Sequence, residues 1–277
     1  FPENLTSLEN GDLVFGSSTS SVIYRARGSE AEATPWFDGK AARLGRVLGV
    51  LADEPRNILW VCSTSQAEAR PNADLTGLAA FSLEDGAVMG TYPFADGKGW
   101  CNDIAVDGQG TVYATDTMEG RVFRLPSLDD AAMQIWSDDP LLKGADGIAV
   151  TPDGAVYVNA IFSGLLLRMD PSDGGASARP VQLTLSRELG LPDGMRALED
   201  GSLLVAEQAG RLSRVTIDGD TAEVATLADG FTESAAVAVR GGRAYVLQSH
   251  LSFNRDPKLK GVDPGPARAV AVPLEGR

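Results

Sequence analysis

Three residues with oxygen-bearing side chains, Asn102, Asp146 and Asp193, recur at one register of the chain, 44 and then 47 residues apart. Each heads a similar stretch: Trp100-Cys101-Asn102-Asp103-Ile104-Ala105-Val106, Gly144-Ala145-Asp146-Gly147-Ile148-Ala149-Val150 and Leu191-Pro192-Asp193-Gly194-Met195-Arg196-Ala197. Each then runs through a Gly-bearing turn into a β-rich return that ends at or next to Asp116, Asn159 or Glu207. Carboxylate and carboxamide oxygens, with no His or Cys among them, are the donors a hard cation such as calcium or magnesium selects. A lone Asn or Asp near a turn makes an Asx turn and nothing more. A set at one register of successive units asks for a common cause.

The elements that must position this set are hairpins: a short apolar strand, a tight turn, and an alternating return strand. Repetition of such a unit every 40 to 50 residues or so is the signature of a propeller. The chain divides into six units, at about 2–38, 44–95, 100–138, 144–184, 191–229 and 233–274. The expected fold is all-β, a six-bladed propeller of four-stranded antiparallel blades, with 1–277 as a single domain. The sixth unit shows only three strands, and no N-terminal strand is evident to complete it. In such a ring the innermost strands all start at one mouth of the central channel. Asn102, Asp146 and Asp193 therefore meet there, and Glu3 of Pro2-Glu3-Asn4 stands at the matching place in the first unit. The return strands end on the same face and add Asp116, Asn159 and Glu207 as a second tier within reach of a substrate. Without a cation, these like charges in a partly dry channel carry a considerable electrostatic cost.

The bulk composition narrows the partners. The 277 residues carry a formal charge of -14, which argues against nucleic acid and anionic membrane, because phosphate binding needs clustered Lys and Arg. A small-molecule ligand fits better, and the protein is expected to be a monomer. No apolar run reaches the 18 or so residues of a membrane helix, so the cytoplasm is the default location, with a removed leader compatible with a chain that starts at Phe1. Cys62 and Cys101 form neither a disulfide framework nor a metal-ligand spacing, and are expected as separate small apolar residues near the mouth. There is no Gly-x-Ser-x-Gly elbow, and the single histidine, His250, has no evident nucleophile arrangement, so a hydrolytic triad is not expected. Two long loops, 63–76 and 249–266, join second to third strands and should fence the mouth. His250 opens the second as a substrate contact or proton shuttle.

Pro2-Glu3 opening the first unit, Asn102-Asp103 the third and Leu191-Pro192-Asp193-Gly194-Met195 the fifth resemble the gluconolactonase, regucalcin and luciferin-regenerating enzyme superfamily of six-bladed propellers. The resemblance runs along the whole chain on short motifs. It implies that Glu3, Asp146 and Asp193 ligate one divalent metal, with Asn102 beside it on metal or substrate, and that Asp193 also serves as general base. It implies lactone hydrolysis as the activity. Two departures bear on substrate and metal. Asp146 stands where the family commonly has Asn, and the added charge favours calcium over magnesium, zinc or manganese. Trp100 stands close to where sugar-lactonase members have an Arg, which favours a neutral, more apolar ring over a sugar acid.

The expected chemistry is metal-assisted ring opening, the ion polarising the carbonyl while a carboxylate takes a proton from water. Other readings remain open at this point: a non-hydrolytic enzyme such as an isomerase or condensing enzyme, or a scaffold holding a structural calcium.

Overall fold

The computed structural model describes residues 1–28, 30–65, 74–259 and 261–274, without the side chains of 254 and 255. The middle of the 63–76 loop lies outside the described residues. Six antiparallel sheets stand in a ring as a six-bladed propeller. Blade 1 is β1 (Leu5–Ser7), β2 (Leu13–Phe15), β3 (Val22–Ala26) and β4 (Thr34–Asp38). Blade 2 is β5 (Arg46–Asp53), β6 (Ile58–Thr64), β7 (Gly77–Ser82) and β8 (Val88–Pro93). Blade 3 is β9 (Cys101–Val106), β10 (Val112–Asp116), β11 (Arg121–Leu125) and β12 (Gln134–Ser137). Blade 4 is β13 (Ala145–Val150), β14 (Val156–Ala160), β15 (Leu165–Ser172) and β16 (Ser177–Gln182).

The last two blades depart from the four-strand plan. In blade 5, the two-residue β17 (Thr184–Leu185) runs parallel to the outer strand of β18 (Pro192–Ala197), β19 (Leu203–Glu207), β20 (Arg211–Asp218) and β21 (Thr221–Asp229). Blade 6 has three strands among the described residues: β22 (Ser234–Arg240), β23 (Arg243–Gln248) and β24 (Arg268–Pro273). The loop ahead of β24 contains a one-turn helix, Ser252–Arg255.

Strand alternation decides where the core sits. One face of each blade packs on the next, and the buried apolar residues fall into six clusters, one at each blade boundary. The blade 2–3 boundary carries Phe94 stacked on Phe123 at 3.8 Å, with Trp60 and Met133 around them. Among the described residues the ring closes without a shared strand. Leu5 and Phe15 of blade 1 pack on Ala236, Ala238 and Leu247 of blade 6, and Ser7 Oγ donates to the Val239 carbonyl at 2.9 Å.

The turns inside the repeated hairpins explain the sequence period. Gly110, Gly154 and Gly201 close the equivalent β9–β10, β13–β14 and β18–β19 turns with φ of 95°, 87° and 83°, which residues with a Cβ avoid. One expectation is overturned here. Cys62 and Cys101 are joined in a disulfide, Cα to Cα 5.2 Å, between β6 of blade 2 and β9 of blade 3. Two cysteines so far apart in sequence meet because the inner strand of blade 3, β9, packs against β6, the second strand of blade 2.

Candidate functional site

The site is built on one backbone irregularity repeated around the ring. In β9 the register with β10 shifts between Cys101 and Ile104, so that Asn102 and Asp103 together oppose Thr115. The same β-bulge sets Leu48-Gly49 against Cys62, Asp146-Gly147 against Asn159, and Asp193-Gly194 against Ala206; a similar shift falls at Ala235 in blade 6. In blade 1 the Gly16 amide donates to the Asn4 carbonyl and that of Ser18 to Phe1, the latter matching Thr117 to Trp100 in blade 3. A bulge re-aims the side chains of its extra residue. The inner ring is therefore Glu3, Leu48, Asn102, Asp146, Asp193 and Ala235, which brings together the four residues expected at the mouth.

These four are nearly fully buried, at 5%, 4%, 3% and 3% exposure for Glu3, Asn102, Asp146 and Asp193. Asn102 Nδ2 donates to Asp146 Oδ2 at 2.9 Å and to Thr117 Oγ1 at 2.8 Å. Gln208 Nε2 donates to Asp193 Oδ2 at 2.6 Å. Burial, then the Asp193 and Glu3 carboxylates beside it, hold the Asp146 carboxyl well above the ordinary carboxylate value. The acids thus converge, and the cost of crowding them falls on Asp146. Among the described residues no three His, Cys, Asp or Glu side chains form a ready-made metal cage. The donors still fit a hard cation by chemistry: they are oxygens, and Asp146 Oδ1 is buried with no hydrogen-bond partner.

The expected second tier does not line this floor. Asp116 and Glu207 are fully buried at equivalent places, each opposite an Arg in register, Arg121 and Arg211. Asp116 Oδ2 pairs with Arg121 at 2.7 Å while Oδ1 accepts the Trp100 amide at 2.8 Å. Glu207 accepts from Arg187 at 2.9 Å, from Arg211 at 3.2 Å, from Ser213, and from the Gly190 amide at 2.5 Å. Burial opposes ionisation of Glu207, but these donors outweigh it and hold its pKa at about 2. Both carboxylates therefore fix the entry to the inner strand rather than face a ligand. Asn159 sits one position earlier, opposite the bulge. Its Oδ1 accepts the Gly147 amide at 3.1 Å and its Nδ2 donates to the Asp193 carbonyl at 2.6 Å. Thr115 does the same one blade earlier, accepting from the Asp103 amide at 3.0 Å and donating to the Asp146 carbonyl at 2.5 Å.

A deeper layer follows the first. Asp103 and Asn4, the second bulge residues of blades 3 and 1, meet Arg196 from blade 5. Arg196 pairs with Asp103 at 2.9 Å and donates to Asn4 Oδ1 at 3.1 Å, and Asn4 Nδ2 donates to Asp103 Oδ1 at 3.0 Å. Sequence reasoning passed over this trio although Asn4 and Asp103 directly follow two proposed ligands.

Above the inner ring opens a cavity of about 620 Å³ with Glu3, Asn102 and Asp146 among its lining residues. Its walls mix apolar side chains, among them Trp100, Met118, Ile161, Phe162 and Leu251, with the hydroxyl residues Ser18, Thr19 and Thr117. Arg46 also lines it, its guanidinium 5.5 Å from the Trp100 ring centroid. Trp100 is thus at the cavity as expected. His250 is not: its ring borders a second, smaller cavity with Gln248 and Arg268, 3.4 Å from the Pro266 carbonyl, and its neighbour Leu251 takes the place by the site. Arg46 carries no Asp-Gly signal in sequence, and only its position at the start of an inner strand could have marked it.

No family model matches the sequence, and no curated protein matches it. Solved structures do match in fold. A gluconolactonase from Xanthomonas campestris superposes with a TM-score of 0.68 at 18% identity, over 89% of this chain and 82% of that one. The luciferin-regenerating enzyme gives 0.68 at 16% identity over 99% and 92%. The PQQ-bound aldose sugar dehydrogenase of Streptomyces coelicolor gives 0.68 at 16% identity over 98% and 93%. The propeller fold is common to all three, and at such identities the likeness is one of fold.

Proposed function

We propose that this propeller is a divalent-metal-dependent hydrolase that opens a lactone or similar cyclic ester. One observation carries the reading. A floor of buried acids and an amide, in which Asp146 Oδ1 is buried without a hydrogen-bond partner, underlies an open cavity with Trp100, Ile161, Phe162 and Leu251 among its walls. The gluconolactonase among its fold neighbours supports the same reaction class.

Glu3, Asp146 and Asp193 would hold the ion, calcium before magnesium, zinc or manganese, and Asn102 would face it or the substrate carbonyl. When bound, such an ion polarises the ring carbonyl and favours the oxyanion. Asp193, with its Oδ2 fixed by Gln208, would take the proton of the attacking water. The ring C–O bond then breaks, the alkoxide is protonated, and a hydroxy acid leaves. Trp100, Ile161, Phe162 and Leu251 would enclose the apolar body of the substrate and keep bulk water from it.

The test is turnover of a lactone series, glucono-δ-lactone, δ-valerolactone and phthalide, before chelation, after it, and after return of calcium. The expected result is loss and recovery of ring opening, with Asp193→Asn lowering kcat by roughly a hundredfold or more. Turnover indifferent to both chelator and substitution refutes the reading. No turnover, with calcium only raising the melting temperature, points to a calcium-stabilised scaffold instead.

A further inference from the structure

The cavity is bipolar in a way the ring-opening chemistry does not use. Its floor holds Glu3 and Asp146, and Arg46 is the one cationic side chain among the described residues lining it. Arg46 opens β5, opposite Thr64 across the β5–β6 pair, and is half-buried. Its guanidinium lies over the Trp100 ring at 5.5 Å, and it makes no ion pair or hydrogen bond with the described residues. By contrast, Arg121, Arg187 and Arg196 elsewhere at this end of the ring are each committed to a buried carboxylate. A half-buried guanidinium held over an aromatic face, with its donors uncommitted, is a receptor for a planar anion.

We propose that Arg46 is a specificity-determining residue that binds a carboxylate on the substrate, so that the ligand is an apolar cyclic ester bearing one anionic group. This rests on the ring-opening reading for the reaction, but not for the binding. The carboxylate lies against the guanidinium and the apolar body lies along Trp100. The ester carbonyl reaches the floor at Asn102 and Asp146, and the like-charged floor keeps the anionic end away from it. An anionic ligand departs from the sequence-based expectation of a neutral one. A cation is present at the cavity, but it comes from the neighbouring blade and stacks on Trp100.

Calorimetric titration of calcium-loaded protein with phthalide-5-carboxylate and its neutral isostere phthalide-5-carboxamide tests the proposal, run on wild type, Arg46→Gln and Arg46→Lys. Wild type should prefer the carboxylate by about tenfold to a hundredfold, the range of a charged hydrogen-bonded contact. Arg46→Gln should bring that ratio near one, and Arg46→Lys should keep part of it, because Lys retains the charge but not the fork. Equal affinity for the two ligands in wild type overturns the proposal. So does a preference that survives Arg46→Gln, including one in which both affinities fall together as for a structural role, and so does failure of the carboxylate to bind. If the Arg46-dependent preference is found but neither ring opens, the hydrolase reading fails and the anion site stands.

Discussion

Asn102 and Asp146 are joined across the boundary of blades 3 and 4, amide nitrogen to carboxylate oxygen, at 2.9 Å. The bond leaves the other Asp146 oxygen buried without a partner, in a cluster whose members repel one another. The floor of the cavity is thus held together locally while its carboxylates still repel one another.

Metal-free protein should lose stability as pH rises. The folded-state pKa of Asp146 is raised, so its contribution is fully present below the unfolded value and is lost as pH climbs from the ordinary carboxylate range through the elevated folded one. Urea unfolding in chelator should show this fall, and Asp146→Asn should flatten it. Calcium should restore stability at neutral pH in wild type but much less in the variant.

Glu207 gives the opposite sign. Its folded pKa of about 2 lies below the ordinary value, so its stabilisation is present above about 4.5 and drains away as pH falls toward 2. Glu207→Gln should cost about 2–3 kcal/mol at neutral pH. That is less than the roughly 3–5 kcal/mol of a fully buried pair, because Arg187 and Arg211 keep partial contact with solvent. Chemical denaturation at pH 7 and pH 3 should show the wild-type advantage shrinking at the lower pH.

Reduction should loosen the junction of blades 2 and 3. The disulfide closes a loop of 39 residues, worth at most about 4 kcal/mol by chain entropy. Cys62→Ala with Cys101→Ala should lower the melting temperature by an amount that reductant reproduces in wild type and does not increase in the variant. A bond of this kind is characteristic of oxidising compartments, which sets it against the cytoplasmic default drawn from composition.

Gly147→Ala tests the bulge itself. A Cβ there meets the Asp193 carbonyl and the Asn159 amide nitrogen, so the variant should lose about 1–3 kcal/mol and bind calcium more weakly. Isothermal calcium titration beside a melting curve separates the two effects.

The repeat was legible because units three to five write the same Asp-Gly turn and apolar strand, and the inner-ring quartet followed from its register. What sequence did not show was register shift and cross-blade adjacency. Asp116 and Glu207 end their strands on the expected face, yet each lies directly opposite an Arg, and ion pairing turns them inward. His250 and Leu251 differ by one residue, and the left-handed backbone at His250, φ 55°, sends its ring away from the cavity that Leu251 borders. The Cys62–Cys101 bond and the stacking of Arg46 on Trp100 join neighbouring blades, so neither leaves a mark in the spacing of either blade alone.

The hydrogen bonds from Thr115 to the Asp146 carbonyl and from Asn159 to the Asp193 carbonyl run tangentially, each bulge steadying the next along the rim. The positions of Asp146 and Asp193 on this arc are therefore set by the circumference and not by any spoke. Transplanting blade 4 alone from another propeller would carry its acid across but leave it displaced, because the neighbours that fix its backbone would stay behind.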